Sequence, residues 1–98
     1  RRELERIAMQ LAFKRAEQLS RRDPATAAAR YLELVQRFPA GARAAESLYN
    51  AALLLEQAGQ PTRARTCRQR LATEYPDSPL VERAEQQPKT ESPAANAP

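Results

Sequence analysis

Apolar residues recur every three or four positions along most of this chain, the spacing that places side chains on one face of a helix. The first such stretch runs from 3 to 20, and its apolar positions extend beyond a single face. They are Leu4, Ile7, Ala8, Met9, Leu11, Ala12, Phe13, Ala16 and Leu19. A helix with this pattern needs packing partners on more than one side.

Proline, glycine and capping residues divide the following sequence into four further helices. Asp23 is a good N-cap, and Pro24 suits the first helical position. Gly59 stands where a helix commonly ends, and Pro39 and Pro76 follow two other helical stretches. The predicted helices span residues 24–37, 42–58, 61–74 and 80–86.

From residue 87 onward the composition changes. The segment QPKTESPAANAP holds three prolines and no large apolar residue. A segment of this composition cannot bury enough apolar surface to offset the entropy of ordering. We therefore expect one helical domain over residues 1–86 and a disordered tail over residues 87–98.

One pattern of residues occurs twice in the sequence. AAARYLELVQRFP covers residues 27–39, and ARTCRQRLATEYP covers residues 64–76, thirty-seven positions later. Each copy begins with alanine, carries a leucine seven positions on, and closes with an aromatic residue and proline. A second helix precedes each copy, and two helices per repeat indicate a helical solenoid. The predicted fold class is all-α: antiparallel helix pairs in about two units, plus a short extra helix.

The second unit resembles a tetratricopeptide repeat. GQPTRA before one helix and YPDSP after it carry the resemblance, and counting back from Pro76 gives a unit over residues 45–78, about the expected 34 residues. Six residues fall at signature positions: Leu48, Ala52, Leu55, Gly59, Ala64 and Pro76. Arg68 replaces the bulky apolar residue usual at its position, and the first unit matches well only in its second helix.

The close of the unit, aromatic-proline-x-serine, is also similar to repeats of bacterial envelope proteins. These include the lipoprotein of the outer-membrane β-barrel assembly machine and the periplasmic coordinator of the Tol-Pal system. The resemblance implies a periplasmic or outer-membrane-associated location in a bacterium, with a cytoplasmic location as the alternative.

The resemblance further implies a protein-binding groove lined by the first helix of a pair. On the helix at 42–58, the positions that correspond to the groove are Glu46, Tyr49, Asn50, Leu53 and Gln57. The stripe that would face the partner helix is Leu48, Ala51, Ala52 and Leu55. Aromatic and amide groups suit a groove because they grip a peptide at low entropic cost. The alternative is that Tyr49 and Leu53 pack against the next repeat. A carboxylate clamp at Asn50 is not expected, because the preceding helix offers no cation or amide at the matching places.

The composition provides few groups for catalysis. The chain has 16 Lys and Arg against 12 Asp and Glu, no histidine and a single cysteine. Cys67 lies within an apolar stripe, which indicates a buried small hydrophobe, and we expect the carboxylates on exposed helix faces. Catalytic triads, phosphate-binding loops and metal-ligand spacings are not found in the sequence. We therefore expect no enzyme, no catalytic residue, no metal, no cofactor and no small-molecule substrate. No apolar run reaches the ~18 residues that favour a membrane span.

Four arginines lie on the helix at 61–74, at positions 63, 65, 68 and 70. At about 100° per residue they fall on opposite sides of the helix and form no single basic stripe. Aromatic residues for base stacking are not interleaved with them. A solvated flank is expected, and a protein partner is favoured over nucleic acid.

These observations predict a non-enzymatic protein-protein interaction module, a tetratricopeptide adaptor in an envelope-associated complex. The first alternative is a structural subunit buried in a large assembly, which exposed apolar residues on the first helix would favour. The second alternative is a nucleic-acid-binding module.

Overall fold

The computed structural model describes residues 1–89, which form five α-helices and no strand. They are α1 (Arg2–Ser20), α2 (Pro24–Arg37), α3 (Ala44–Gln57), α4 (Pro61–Glu74) and α5 (Leu80–Glu85). The all-α prediction is confirmed, and so are the bounds of α2 and α4. Helix α3 begins two residues later than predicted, because residues 40–43 form a turn. In that turn the amide of Gly41 donates to the Phe38 carbonyl at 2.9 Å, and the amide of Ala44 donates to the Gly41 carbonyl at 3.2 Å.

The predicted cap of α2 is present. The Asp23 carboxylate accepts hydrogen bonds from the Thr26 hydroxyl at 2.7 Å and from the Thr26 amide at 3.1 Å. These two bonds lower the pKa of Asp23, because they stabilise the charged form. Gly59, after the end of α3, has φ +77°. This left-handed conformation ends α3 and turns the chain into α4. Local chemistry therefore sets the lengths of these helices.

Each helix packs on the next one along the chain, and α5 packs on both α3 and α4. Helix α3 is central because it contacts α2, α4 and α5. The stripe predicted to face the partner helix, Leu48, Ala51, Ala52 and Leu55, is buried. Its alanines add no bulk between the helices, so neighbouring backbones approach closely.

Helix α1 has two apolar faces. Met9, Phe13 and Ala16 are buried against the rest of the domain, and the Phe13 and Tyr31 rings meet edge to face with centroids 5.3 Å apart. About 180° around the helix lies a second apolar stripe. It consists of Leu4, Ile7 and Leu11, which are 70%, 53% and 50% exposed.

The packed structure extends one residue beyond the predicted domain boundary at residue 86. Gln87, assigned to the tail on composition, is buried, and its side-chain amide donates to the Tyr49 carbonyl at 3.0 Å. The contact joins Gln87 to a residue 38 positions earlier in the chain. Local composition therefore could not predict that this glutamine is buried. The predicted disorder of residues 90–98 concerns residues outside the described range.

Ser47 is fully buried on α3, and its hydroxyl has no hydrogen-bond partner among the described residues. A buried polar group without a partner costs free energy, so removal of the hydroxyl is favourable. We expect Ser47→Ala to raise the free energy of unfolding by about 1 kcal/mol in urea denaturation.

Ser78→Ala is the matched control, because the Ser78 hydroxyl accepts a hydrogen bond from the Leu80 amide at 3.1 Å. This variant should be less stable than the parent. A loss of stability in Ser47→Ala of the same size would contradict the prediction.

Candidate functional site

The five residues predicted to form the groove lie on one side of α3, away from its buried stripe. Gln57 is exposed, and the other four are half-buried. At about 100° per residue they occupy an arc of about 100° around the helix. The arc comprises Glu46, Tyr49, Asn50, Leu53 and Gln57, and we call it the α3 face.

A hollow of about 330 Å³ opens beside the α3 face. Asn50, Leu53 and Gln57 line it, together with Leu54 and with Ser20 at the end of α1. It combines apolar contact from the leucines with amide and hydroxyl groups. Such a surface provides an apolar anchor point and hydrogen-bond partners for a peptide backbone.

Tyr49 lies at the boundary between the α3 face and α5. The guanidinium carbon of Arg83 is 5.7 Å from the centroid of the Tyr49 ring, and the Tyr49 carbonyl accepts the hydrogen bond from Gln87. The ring is also packed against the hydrophobic core. One side of Tyr49 is therefore packed against the following helix. Such packing was the alternative considered for Tyr49 and Leu53.

Asn50 lies close to the buried Tyr31 of α2 and affects its ionisation. Burial raises the pKa of Tyr31, and Asn50 acts in the opposite direction. Asn50 therefore lies between Tyr31 and the hollow.

Sequence reasoning missed Arg43 and Gln10, which belong to the same surface. The Arg43 guanidinium forms an ion pair with Glu46 at 2.6 Å and donates to the Gln10 side-chain oxygen at 3.0 Å. Its guanidinium carbon also lies 4.4 Å from the centroid of the Phe13 ring. Arg43 therefore ties α1 to α3 and balances the charge of Glu46. The contact with Gln10 spans 33 residues, so no local spacing could have indicated it.

Two predictions about charged residues on α3 and α4 are wrong. Arg68, assigned to a solvated flank, and Glu56, expected on an exposed face, form an ion pair at 3.0 Å with side chains only 10% and 5% exposed. Arg68 occupies a position where similar repeats carry a bulky apolar residue, and that position faces the interface between α3 and α4. A charge placed there needs a partner on the facing helix.

The flank interpretation holds for two other arginines of α4. Arg63 is exposed, and its guanidinium donates to the Gln60 side chain at 2.8 Å. Arg70 pairs with Glu74 at 2.9 Å, and the two side chains are 39% and 43% exposed. Both contacts are local to α4 and leave the guanidinium groups in contact with solvent.

Cys67 is buried, as predicted for a small hydrophobe. Burial raises the pKa of its thiol, although Arg70, Arg63 and Arg68 act in the opposite direction. The neutral thiol is therefore favoured at physiological pH, and a neutral thiol is a poor nucleophile.

Within residues 1–89, no group of three or more His, Cys, Asp or Glu residues is arranged to hold a metal ion. None of the described helices has the length and apolar character that crossing a bilayer requires.

Comparison with protein families matches residues 46–78 to the family described as Tetratricopeptide repeat. Comparison with curated proteins and with solved structures gives no match. The matched segment covers α3 from its third residue, the turn at Gly59 and all of α4. It begins one residue after the start of the unit predicted from the sequence. The helix pair α3–α4 is therefore the part of this chain that is similar to a tetratricopeptide repeat.

Proposed function

We propose that this chain is a non-enzymatic protein-protein interaction module that receives a segment of its partner on the α3 face. Tetratricopeptide repeats generally mediate protein-protein interaction, which supports the class of function. The observation that carries the choice of surface is the hollow beside α3, where Asn50, Leu53 and Gln57 lie together.

The proposed mechanism is binding to a preformed surface. Leu53 and the open side of Tyr49 provide apolar anchors, and the amides of Asn50 and Gln57 pair with the backbone of the bound segment. These side chains project from a helix that is buried on its opposite side, so little conformational entropy is lost on binding. The ion pair between Arg43 and Glu46 adds polar contacts at the other end of the face.

We also propose that the module belongs to a bacterial envelope-associated complex, in the periplasm or at the outer membrane. The support is the sequence close at Tyr75, Pro76 and Ser78, which is similar to that of envelope repeats. Fractionation of the tagged full-length protein tests the location. Recovery in the cytoplasmic fraction would overturn this part of the proposal and leave the binding surface untouched.

Site-specific photo-cross-linking tests the binding surface. A photoreactive side chain at Gln57, on the α3 face, should cross-link a protein partner in cells. The matched control is Thr66, an exposed residue of α4 outside the α3 face. A discrete adduct at position 57 and none at position 66 is the expected result. Equal adducts at both positions would contradict the proposal.

The second candidate function, a structural subunit buried in a larger assembly, is favoured by the apolar stripe of α1. Leu4, Ile7 and Leu11 are at least half exposed, and exposed apolar stripes mark surfaces that become covered. If this is the main role, the isolated chain should self-associate, and glutamine at all three positions should render it monomeric in light scattering. A parent chain that is monomeric at high concentration would rule against it.

A further inference from the structure

A second cavity lies at the opposite end of α1 from the hollow beside α3. It has a volume of about 570 Å³, within the range of small-ligand pockets, and shares no residue with the α3 face. The first turns of α1 form one wall, and the end of α2 with the following turn forms the other. The side chains that matter are Arg2, Arg6, Met9, Arg37, Phe38 and Pro39.

The apolar side of this cavity is held in place by contacts from the end of α4 and from α1. The Tyr75 hydroxyl, at the end of α4, donates to the Pro39 carbonyl at 2.6 Å. At Gly41, an added Cβ would clash with the Met9 sulfur, so the turn lies directly against α1. The apolar surface is therefore preformed, and a ligand does not need to order it.

The rim of the cavity is cationic. Arg2, Arg6 and Arg37 line it with one carboxylate, that of Glu5. Arg6 is paired with Glu3 at 2.5 Å, and the Arg37 guanidinium carbon lies 4.9 Å from the centroid of the Phe38 ring. Within residues 1–89, Arg2 and Arg37 form no ion pair. Two exposed guanidinium groups next to an apolar surface are thus available to carboxylates.

The geometry points to a second docking site, for an acidic peptide segment that carries one apolar side chain between carboxylates. The apolar side chain packs on Met9, Phe38 and Pro39, and the flanking carboxylates pair with Arg37 and Arg2. Charge complementarity selects this occupant, since a basic segment would face the guanidinium groups of Arg2 and Arg37. The site is separate from the α3 face, so both sites can be occupied at the same time. The occupant is then either one partner segment that reaches both sites or a different partner at each site.

The test uses the synthetic peptide Asp-Glu-Phe-Asp-Glu, titrated into the isotope-labelled chain and followed by amide chemical shifts. We expect saturable shifts at Gly41 and Ala42 and in the first turns of α1, with the α3 face unaffected. The double variant Arg2→Gln with Arg37→Gln should weaken binding at least tenfold. Its matched control, Arg21→Gln with Arg22→Gln, removes the same charge from exposed residues elsewhere and should change binding less than twofold.

A second peptide, Asp-Glu-Gly-Asp-Glu, isolates the apolar contribution and should bind at least tenfold more weakly. Equal losses in the two double variants would overturn the proposal, since net charge alone would then explain binding. Indifference to the phenylalanine, or shifts confined to the α3 face, would overturn it as well. So would tighter binding of an oligothymidylate to the same residues, because the rim would then be a polyanion surface. Circular dichroism of both variants confirms folding, which the exposed arginines should not affect.

Discussion

Replacing Arg68 with methionine is expected to lower the free energy of unfolding by about 3 kcal/mol. The reason is the ion pair with Glu56, whose side chains are 10% and 5% exposed. Methionine keeps most of the aliphatic length but removes the guanidinium charge beside a buried carboxylate. Loss of one member of a buried pair is costly, because the remaining charge stays desolvated. Urea denaturation followed by circular dichroism measures the change.

Arg70→Met is the matched control on the same helix. Its partner Glu74 is one turn away, and the two side chains are 39% and 43% exposed. Solvent screens such a pair, so the substitution should cost less than about 1 kcal/mol. Adding Glu56→Leu to Arg68→Met should recover most of the lost stability, since a buried pair replaced by apolar residues is often neutral. A cost at position 68 no larger than at position 70 would contradict the buried placement of the pair.

Leu71→Ala is expected to lower the free energy of unfolding by about 2–5 kcal/mol. Leu71 is fully buried, and the other buried residues of α4 are the smaller Ala64 and Cys67. One large side chain therefore provides much of the apolar contact that holds α4 on α3. Thermal and urea unfolding measure the loss, and hydrogen exchange should show α4 as the least protected of the four long helices.

The same substitution at an exposed leucine provides the control. Leu4 is 70% exposed on α1, so Leu4→Ala should change the free energy of unfolding by less than about 0.5 kcal/mol. Similar losses at positions 4 and 71 would mean that α4 is not packed on α3 through Leu71.

Much of the fold could be predicted because residues at the helix ends determine where the helices begin and end. Asp23 and Pro24 define the start of α2, Gly59 the turn after α3, and Pro61 the start of α4. The buried stripe of α3 was predicted from the resemblance to a tetratricopeptide repeat, once the helix had been identified. The start of α3 was placed two residues early because the turn after Phe38 is fixed by contacts with α1, which sequence spacing does not reveal.

The candidate site was predictable only in part. Helix geometry alone puts Tyr49, Leu53 and Gln57 on one side of α3, so their shared face follows from the sequence once the helix is known. The partners that orient the site lie on other helices. Arg43 reaches Gln10 on α1, and Arg68 reaches Glu56 across the α3–α4 interface. Such contacts depend on how the helices are arranged relative to one another. The pattern of residues along a single sequence does not give that arrangement.

The most direct test of the α3 face is the double variant Tyr49→Ala with Leu53→Ala, measured for thermal unfolding and for binding to the partner cross-linked at position 57. Interface anchors of this kind typically cost about 2 kcal/mol or more of binding free energy when truncated. We expect a loss of that size, roughly thirtyfold in affinity, with the fold retained because both side chains are half-buried. Collapse of the fold, or unchanged affinity in a folded variant, would contradict the assignment of α3 as the binding surface.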